Sequence, residues 1–199
     1  GYDQVTYNSD TTTTSGIYVH LAAGTVNGDT TVGTDTLRSV EAARGTNFDD
    51  TFDATGFGQV GATNVGSSGT FNDFAGAGGN DTIIGNGSTR LNYQIAASSV
   101  SVDLETSVVG TTNAVTVAGS ATGATEGTDT FTGVNAVQGS TFADTISGDA
   151  ADNFLNGGNG GNDTLNGRAG NDFMTGGNGL DTFVFGNFSG AANSNPGQT

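Results

Sequence analysis

The sequence predicts an all-β solenoid, in which short parallel strands stack coil on coil around a thin interior. Three observations carry this expectation. From Gly139 to Val184 the chain advances in nine-residue steps: GSTFADTIS, GDAADNFLN, G-GNGGNDTLN with one extra glycine, GRAGNDFMT and GGNGLDTFV. Glycine supplies 35 of 199 residues and hydrophobic residues only 33%, too little apolar material for a large compact core. Nowhere does an apolar period of about 3.6 residues persist, so essentially no helix is expected.

Each step begins with Gly and has Asp or Asn at position six: Asp144, Asn153, Asp163, Asp172 and Asp181. Position eight is large and apolar: Ile146, Leu155, Leu165, Met174 and Phe183. Positions one to six favour tight turns, because Gly, Asn and Asp tolerate positive φ. Positions seven to nine form a strand too short to stand alone, its central side chain pointing opposite to its neighbours. Two steps make one coil of eighteen residues, so every second turn lies above the last. Asp144, Asp163 and Asp181 are then expected on one edge, and Asn153 and Asp172 on the other. A flexible glycine-rich linker would not hold an acid and an apolar residue in step through five repeats.

This nonapeptide is an established calcium-binding β-helix signature. Ca²⁺ takes about six to eight oxygen ligands and needs neither sulfur nor imidazole. Stacked position-six carboxylates and turn carbonyls supply such oxygens. The candidate side-chain ligands are Asp50, Asp81, Asp144, Asn153, Asp163, Asp172 and Asp181. The candidate turn positions, the first and third of each step, are Gly76, Gly78, Gly158, Gly160, Gly167, Ala169, Gly176 and Asn178. The run resembles the RTX (repeats-in-toxin) family of calcium-dependent β-rolls, with Gly176–Val184 matching the pattern at every defined position. Steps 139–147 and 148–156 lack the second and fourth glycines, and the neutral Asn153 brings no charge. The resemblance implies a right-handed parallel β-roll with several Ca²⁺ ions in its turns. It also implies type I secretion by a bacterium and an extracellular, cell-surface location.

Composition agrees. The four basic residues, all Arg, face twenty acids, a net charge of −16. That argues against nucleic-acid binding, which needs cationic surface, and against attraction to anionic membranes. Six acids occupy one repeat position, so divalent cations are the natural partners. There is no cysteine, hence no disulfide and no thiolate site. Glycine-rich chains lose much backbone entropy on folding, and bound metal would offset it. No signal peptide or membrane span is recognised. The chain opens mid-pattern at Gly1 and closes in a polar tail, residues 189–199. It therefore reads as a piece of a larger protein, with any secretion signal beyond Thr199.

Taken in order, residues 1–32 suggest two short strands, around Val5–Tyr7 and Ile17–Leu21, joined by a Thr-rich loop. Residues 33–53, GTDTLRSVEAARGTNFDDTFD, return 94 positions later (127 − 33) as GTDTFTGVNAVQGSTFADTIS. Ten positions match: Gly33/127, Thr34/128, Asp35/129, Thr36/130, Val40/134, Ala42/136, Gly45/139, Phe48/142, Asp50/144 and Thr51/145. Upstream, Val5-Thr-Tyr7 echoes Leu91-Asn-Tyr93, and IYVHL echoes VSVDL. The chain thus reads as two modules. Residues 1–84 hold nonamers at 45–53 and 76–84; residues 85–199 hold the run 139–184, a capping strand with Phe183, Phe185 and Phe188, and the tail. Asp50 and Asp81 are expected to stack across an irregular half-coil. Gly56-Phe-Gly58-Gln-Val-Gly61 matches a dinucleotide fingerprint, but the GSSGT that follows it cannot begin the helix that motif needs. Asp35, Asp129 and Glu41 lie outside the nonamers and read equally as metal ligands or turn caps.

No catalytic constellation is recognised: there is one His, no Cys and no GxSxG. The expected function is a calcium-dependent structural or adhesive module, in a surface layer, matrix filament or adhesin, with self-association a possible partner mode. The alternative is the secretion and folding module of an exported hydrolase or toxin. Ice binding needs a flat Thr ladder; Thr145, Thr164 and Thr182 begin one, which Asn153 and Phe173 are read as interrupting.

Overall fold

A computed structural model describes residues 1–8, 12–105, 113–117 and 127–185. These residues contain sixteen strands and no helix. In chain order they are β1 (Gln4–Thr6), β2 (Tyr18–His20), β3 (Thr25–Asn27), β4 (Thr34–Thr36), β5 (Ala42–Arg44), β6 (Thr51–Asp53), β7 (Asn72–Ala75) and β8 (Thr82–Asn92). There follow β9 (Val100–Asp103), β10 (Asn113–Val117), β11 (Thr128–Gln138), β12 (Thr145–Ser147), β13 (Phe154–Gly158), β14 (Thr164–Asn166), β15 (Phe173–Gly177) and β16 (Thr182–Val184).

The strands form two walls of one curled sheet, as the nonamer arithmetic requires. The first wall runs β16-β14-β12-β9-β10-β11-β8-β6-β2-β3-β4. The second runs β1-β5-β7-β8-β11-β13-β15. Strands β8 and β11 serve both walls. Residues 82–84 pair with β6 and residues 89–91 with β7, and the chain turns the corner between them without a nonamer turn. Most pairings are parallel, as a coil demands. Two antiparallel excursions, β2-β3-β4 and β9-β10-β11, depart from the simple solenoid. Each returns through a Gly-Thr-Asp-Thr strand that no nonamer announces. The two strands expected in residues 1–32 are β1 and β2, and β3 is an addition to them.

Period-two alternation makes the interior. Position-eight residues Phe52, Ile83, Ile146, Leu155 and Leu165 are fully or almost fully buried. On the first wall, Val19, Phe52, Ile83 and Phe131 lie in register, as do Val102, Ile146, Leu165 and Phe183. On the second, Val5, Ala43, Phe74, Leu91, Val137, Leu155 and Met174 make one column. The walls meet where Phe52 stacks on Phe74, ring centroids 5.0 Å apart. At the far end Phe183 is 39% and Phe185 55% exposed; Phe188 lies outside the described residues.

The sequence duplication is a structural one. Tyr18, Val19 and His20 face Thr51, Phe52 and Asp53 as Ser101, Val102 and Asp103 face Thr145, Ile146 and Ser147. The Tyr7 hydroxyl donates to Asp35 Oδ2 at 2.8 Å, and the Tyr93 hydroxyl to Asp129 Oδ2 at 2.9 Å. The expected interruption of the Thr ladder is corrected by the topology. Position seven of the second step is Phe154, not Asn153, and Phe154 and Phe173 pair with each other on the second wall, whereas Thr145, Thr164 and Thr182 align unbroken on the first. Thr51, Thr82 and Thr130 form a second such run. The neighbouring outward column, with Asp53, Ile84, Ser147, Asn166 and Val184, is irregular, so no second rank of Thr accompanies them.

Core positions and wall positions should respond differently to truncation. Leu165→Ala should destabilise the calcium-loaded fold by about 2–5 kcal/mol. Phe154→Ala, at a side chain 57% exposed, should cost under about 1 kcal/mol. Urea unfolding in excess calcium measures both, and equal losses would contradict the assigned register.

Candidate metal centres in the turns

The turns repeat one hydrogen-bonding device. Position-six carboxylates accept, through Oδ1, the backbone N–H of the equivalent residue one coil earlier. Asp50 N–H donates to Asp81 at 2.8 Å, Asp144 N–H to Asp163 at 2.8 Å and Asp163 N–H to Asp181 at 3.0 Å, and Asp129, outside the nonamers, accepts Asp81 N–H in the same way at 2.9 Å. At the head of each series a residue outside the nonamers donates: Ile17 to Asp50 at 2.7 Å and Val100 to Asp144 at 2.8 Å. On the opposite edge Asn153 N–H donates to Asp172 at 3.0 Å. The expected partition therefore holds in space: Asp144, Asp163 and Asp181 stack on one edge, Asn153 and Asp172 on the other. Asp50 and Asp81 are direct neighbours, with β6 and β8 side by side.

The second oxygen, Oδ2, bends back over the first glycine of its own turn. A Cβ placed on Gly76, Gly167 or Gly176 would meet the Oδ2 of Asp81, Asp172 or Asp181. Only a residue without Cβ leaves room for the carboxylate there. Adjacent turns bring a carbonyl to the same place: Gly76 O lies 2.7 Å from a Cβ built on Gly45, and Gly167 O 2.7 Å from one built on Gly148. In the lengthened turn Asp163 Oδ2 sits over Gly157, not Gly158. Gly158 pairs with Gly177, and Gly160 lies against Thr141. Asn159 and Gly160 therefore share the third place, Asn159 N–H donating to Ser140 O at 3.2 Å, and Gly158 moves from the first position, where the repeat count placed it, to the second. Gly78 donates its N–H to Thr46 O at 3.2 Å. Ala169 and Asn178 occupy third positions of turns 167–172 and 176–181.

Some oxygens are left without a partner. Asp81 Oδ2 and Asp163 Oδ2 are buried and accept no hydrogen bond. A buried anionic oxygen in that state is costly unless a cation or proton meets it. Burial, and then the Asp129 charge, raise the Asp81 carboxyl well above the usual carboxylate range. Burial likewise raises Asp144 and Asp163, and pushes Asp50 up to about 6. Among the described residues no three His, Cys, Asp or Glu side chains converge. An ion here would thus be held by one or two carboxylates and otherwise by main-chain carbonyls, an all-oxygen set suited to Ca²⁺. The residues fit that ion.

The remaining turns show variations. Asn153 Nδ2 donates to Asp149 Oδ1 at 3.1 Å and Asn153 Oδ1 accepts Asp149 N–H at 2.8 Å, so Asp149 brings a negative charge to that turn. Arg168 bridges coils by donating to Gly148 O at 2.6 Å and to both Asp103 oxygens at 2.6 and 2.7 Å. Position five forms a second ladder that the sequence reading missed: Asn80 N–H donates to Asp49, Thr128 N–H to Asn80, Asn171 N–H to Asp152 and Leu180 N–H to Asn162, at 2.7–2.9 Å. The Asn or Asp before most position-six acids was its visible signal. Glu41 is fully buried and accepts from Asp3 N–H and from Ser67, a cap and not an open ligand. Asp129 is likewise engaged, with Asp81 and Tyr93.

A family model described as the RTX calcium-binding nonapeptide repeat matches the chain in four copies, over residues 67–89, 129–162 and 157–189. The matched segments hold Asp81, Asp144, Asn153, Asp163, Asp172 and Asp181, and these repeats bind Ca²⁺. No curated protein matches the chain.

Two outcomes follow from raised carboxyl groups. Asp50 binds a proton more tightly folded than unfolded, so its contribution favours the metal-free fold below its ordinary 3.8 and is lost as pH rises through about 6. With chelator, far-UV circular dichroism should show more structure near pH 5 than near pH 8. With calcium the order reverses, because protons compete for the same oxygens. Gly76→Ala should weaken calcium binding at its turn by about 10- to 100-fold, measured by isothermal titration.

Proposed function

We propose, for a chain that carries RTX calcium-binding repeats, that it is an extracellular structural or adhesive module whose shape depends on calcium. The carrying observation is the pair of buried, unpartnered carboxylate oxygens, Asp81 Oδ2 and Asp163 Oδ2, each over a first-position glycine. Asp50, Asp81, Asp144, Asp163, Asp172 and Asp181, with Asn153, are the side chains we assign to the ions. The carbonyls of the turns beginning at Gly76, Gly157, Gly167 and Gly176 complete the sets.

The mechanism is electrostatic. Without calcium a chain of net charge −16 has acids stacked one strand apart, and their repulsion opposes folding. Calcium bridges successive turns, removes the repulsion and offsets the ordering entropy of a glycine-rich backbone. Calcium is scarce inside cells and abundant outside, so the chain leaves the bacterium unfolded and sets on arrival. Two tandem modules, residues 1–84 and 85–199, favour a spacer or surface-layer role over a single secretion appendage. Membrane insertion has no part in this reading; among the described residues no helix is long and apolar enough to cross a bilayer.

The test is a calcium titration followed by circular dichroism. Asp163→Ala and Asp172→Ala should each shift the folding midpoint to higher calcium, and Asp3→Ala, at an exposed position, should not. Equal shifts in all three variants, or a full ordered spectrum in chelator at neutral pH, would overturn the assignment.

A further inference from the structure

We propose that the β4–β1 end of the roll is a docking surface for the β16–β15 end of a second copy of this chain, joined by the same contacts that join the two modules internally. The inference rests on the calcium-ordered roll described above.

The internal junction is the template. Residues 82–84 pair with residues 130–132: Thr82 with Thr130, Ile83 with Phe131, Ile84 with Thr132. Asp81 N–H donates to Asp129 Oδ1, and Thr130 N–H donates back to Asp81 O at 2.8 Å. Tyr93 holds the other oxygen of Asp129. In the opposite wall Phe74 lies over Leu91. A strand ending one nonamer run is thus received by a Gly-Thr-Asp-Thr strand of the next module.

The chain presents that receiving strand a second time, at an end. Gly33-Thr34-Asp35-Thr36 repeats Gly127-Thr128-Asp129-Thr130, and β4 is the last strand of its wall. Tyr7 holds Asp35 Oδ2 as Tyr93 holds Asp129 Oδ2. Thr34, Asp35 and Thr36 are all exposed. Leu37 N–H donates inward to Gly24 O at 2.8 Å. Strand alternation then turns Thr36 N–H toward the open side, where Thr130 N–H meets Asp81 O in the template. Beside it, β1 ends the second wall with Val5 half-buried.

The complementary end is the last nonamer. Among the described residues β16 pairs only with β14 and β15 only with β13. Phe183 and Met174 end their interior columns incompletely covered. Placing the template's register on these ends sets Asp181 N–H against Asp35 Oδ1 and Thr36 N–H against Asp181 O. Phe183 then falls in register with Leu37, already buried in its own end, and Met174 covers the half-buried Val5. One contact differs: Leu180 replaces Asn80, so Thr34 N–H has no amide acceptor there. The interface joins unlike ends, so it propagates head to tail and removes two exposed strand edges.

Sedimentation velocity in calcium tests this, with circular dichroism of the same samples reporting folding. The wild-type chain should form oligomers that grow with concentration. Asp35→Ala and Thr36→Pro should each abolish growth while keeping the wild-type calcium-induced spectrum, since proline is tolerated on an edge whose N–H faces outward. Phe183→Asp should block the other end, and mixed with Asp35→Ala it should give a one-to-one dimer and nothing larger. A wild-type chain that is folded in calcium and monomeric at all concentrations would overturn the proposal, as would Asp35→Ala oligomers equal to wild type. A missing calcium response in the spectrum would instead condemn the calcium reading beneath it.

Discussion

Everything in this roll depends on a buried carboxylate that grips the backbone N–H of the coil before it. A hydrogen bond to a charged acceptor contributes about 1.5–3 kcal/mol. Taking the carboxylate out of water costs several kcal/mol. The bond alone therefore does not balance the burial, and the Oδ2 of Asp81 and of Asp163 has no partner to close the gap. A divalent cation closes it from the turn side. The same side chain sets strand register through one oxygen and creates demand for metal through the other, so assembly of the coil and capture of the ion are one event.

Much of this was legible in the sequence, because a nine-residue period fixes both what is buried and where the acids stack. Ile146 and Leu165 fill the interior where the count put them, and Asp144, Asp163 and Asp181 share an edge. The misses have physical reasons. The antiparallel excursion through β3 uses a strand of three residues, too short for a pattern to stand out. The extra turn residue left Gly158 one place out, since all six residues from Gly157 to Asn162 are Gly or Asn and look interchangeable until a carboxylate settles over Gly157. Asn153 and Phe173 appeared to break a Thr ladder because steps on opposite edges were compared as if they shared one column, and because position seven of the second step is Phe154, not Asn153.

Outside the nonamers the fold is held by ordinary side chains. Glu41 and Asn64 tie loops to the second wall, Asn64 Nδ2 donating to Leu21 O at 3.0 Å and Val40 O at 2.8 Å. Arg90 pairs with the buried Asp73, and Arg168 spans three segments through Asp103, Glu105 and Gly148. These contacts owe nothing to a metal. Apart from the Arg168 contacts, which start from a nonamer turn, they cluster in the connecting parts.

The first wall stacks eleven strands along one path, and neighbouring strands stand about 4.8 Å apart. A module of this kind is consequently a ruler with fixed graduations, close to 50 Å for one wall. Inserting or deleting a pair of nonapeptides would change its reach by one graduation and leave its cross-section alone. Evolution can set how far such a protein stands from a surface by counting repeats, without redesigning a single contact.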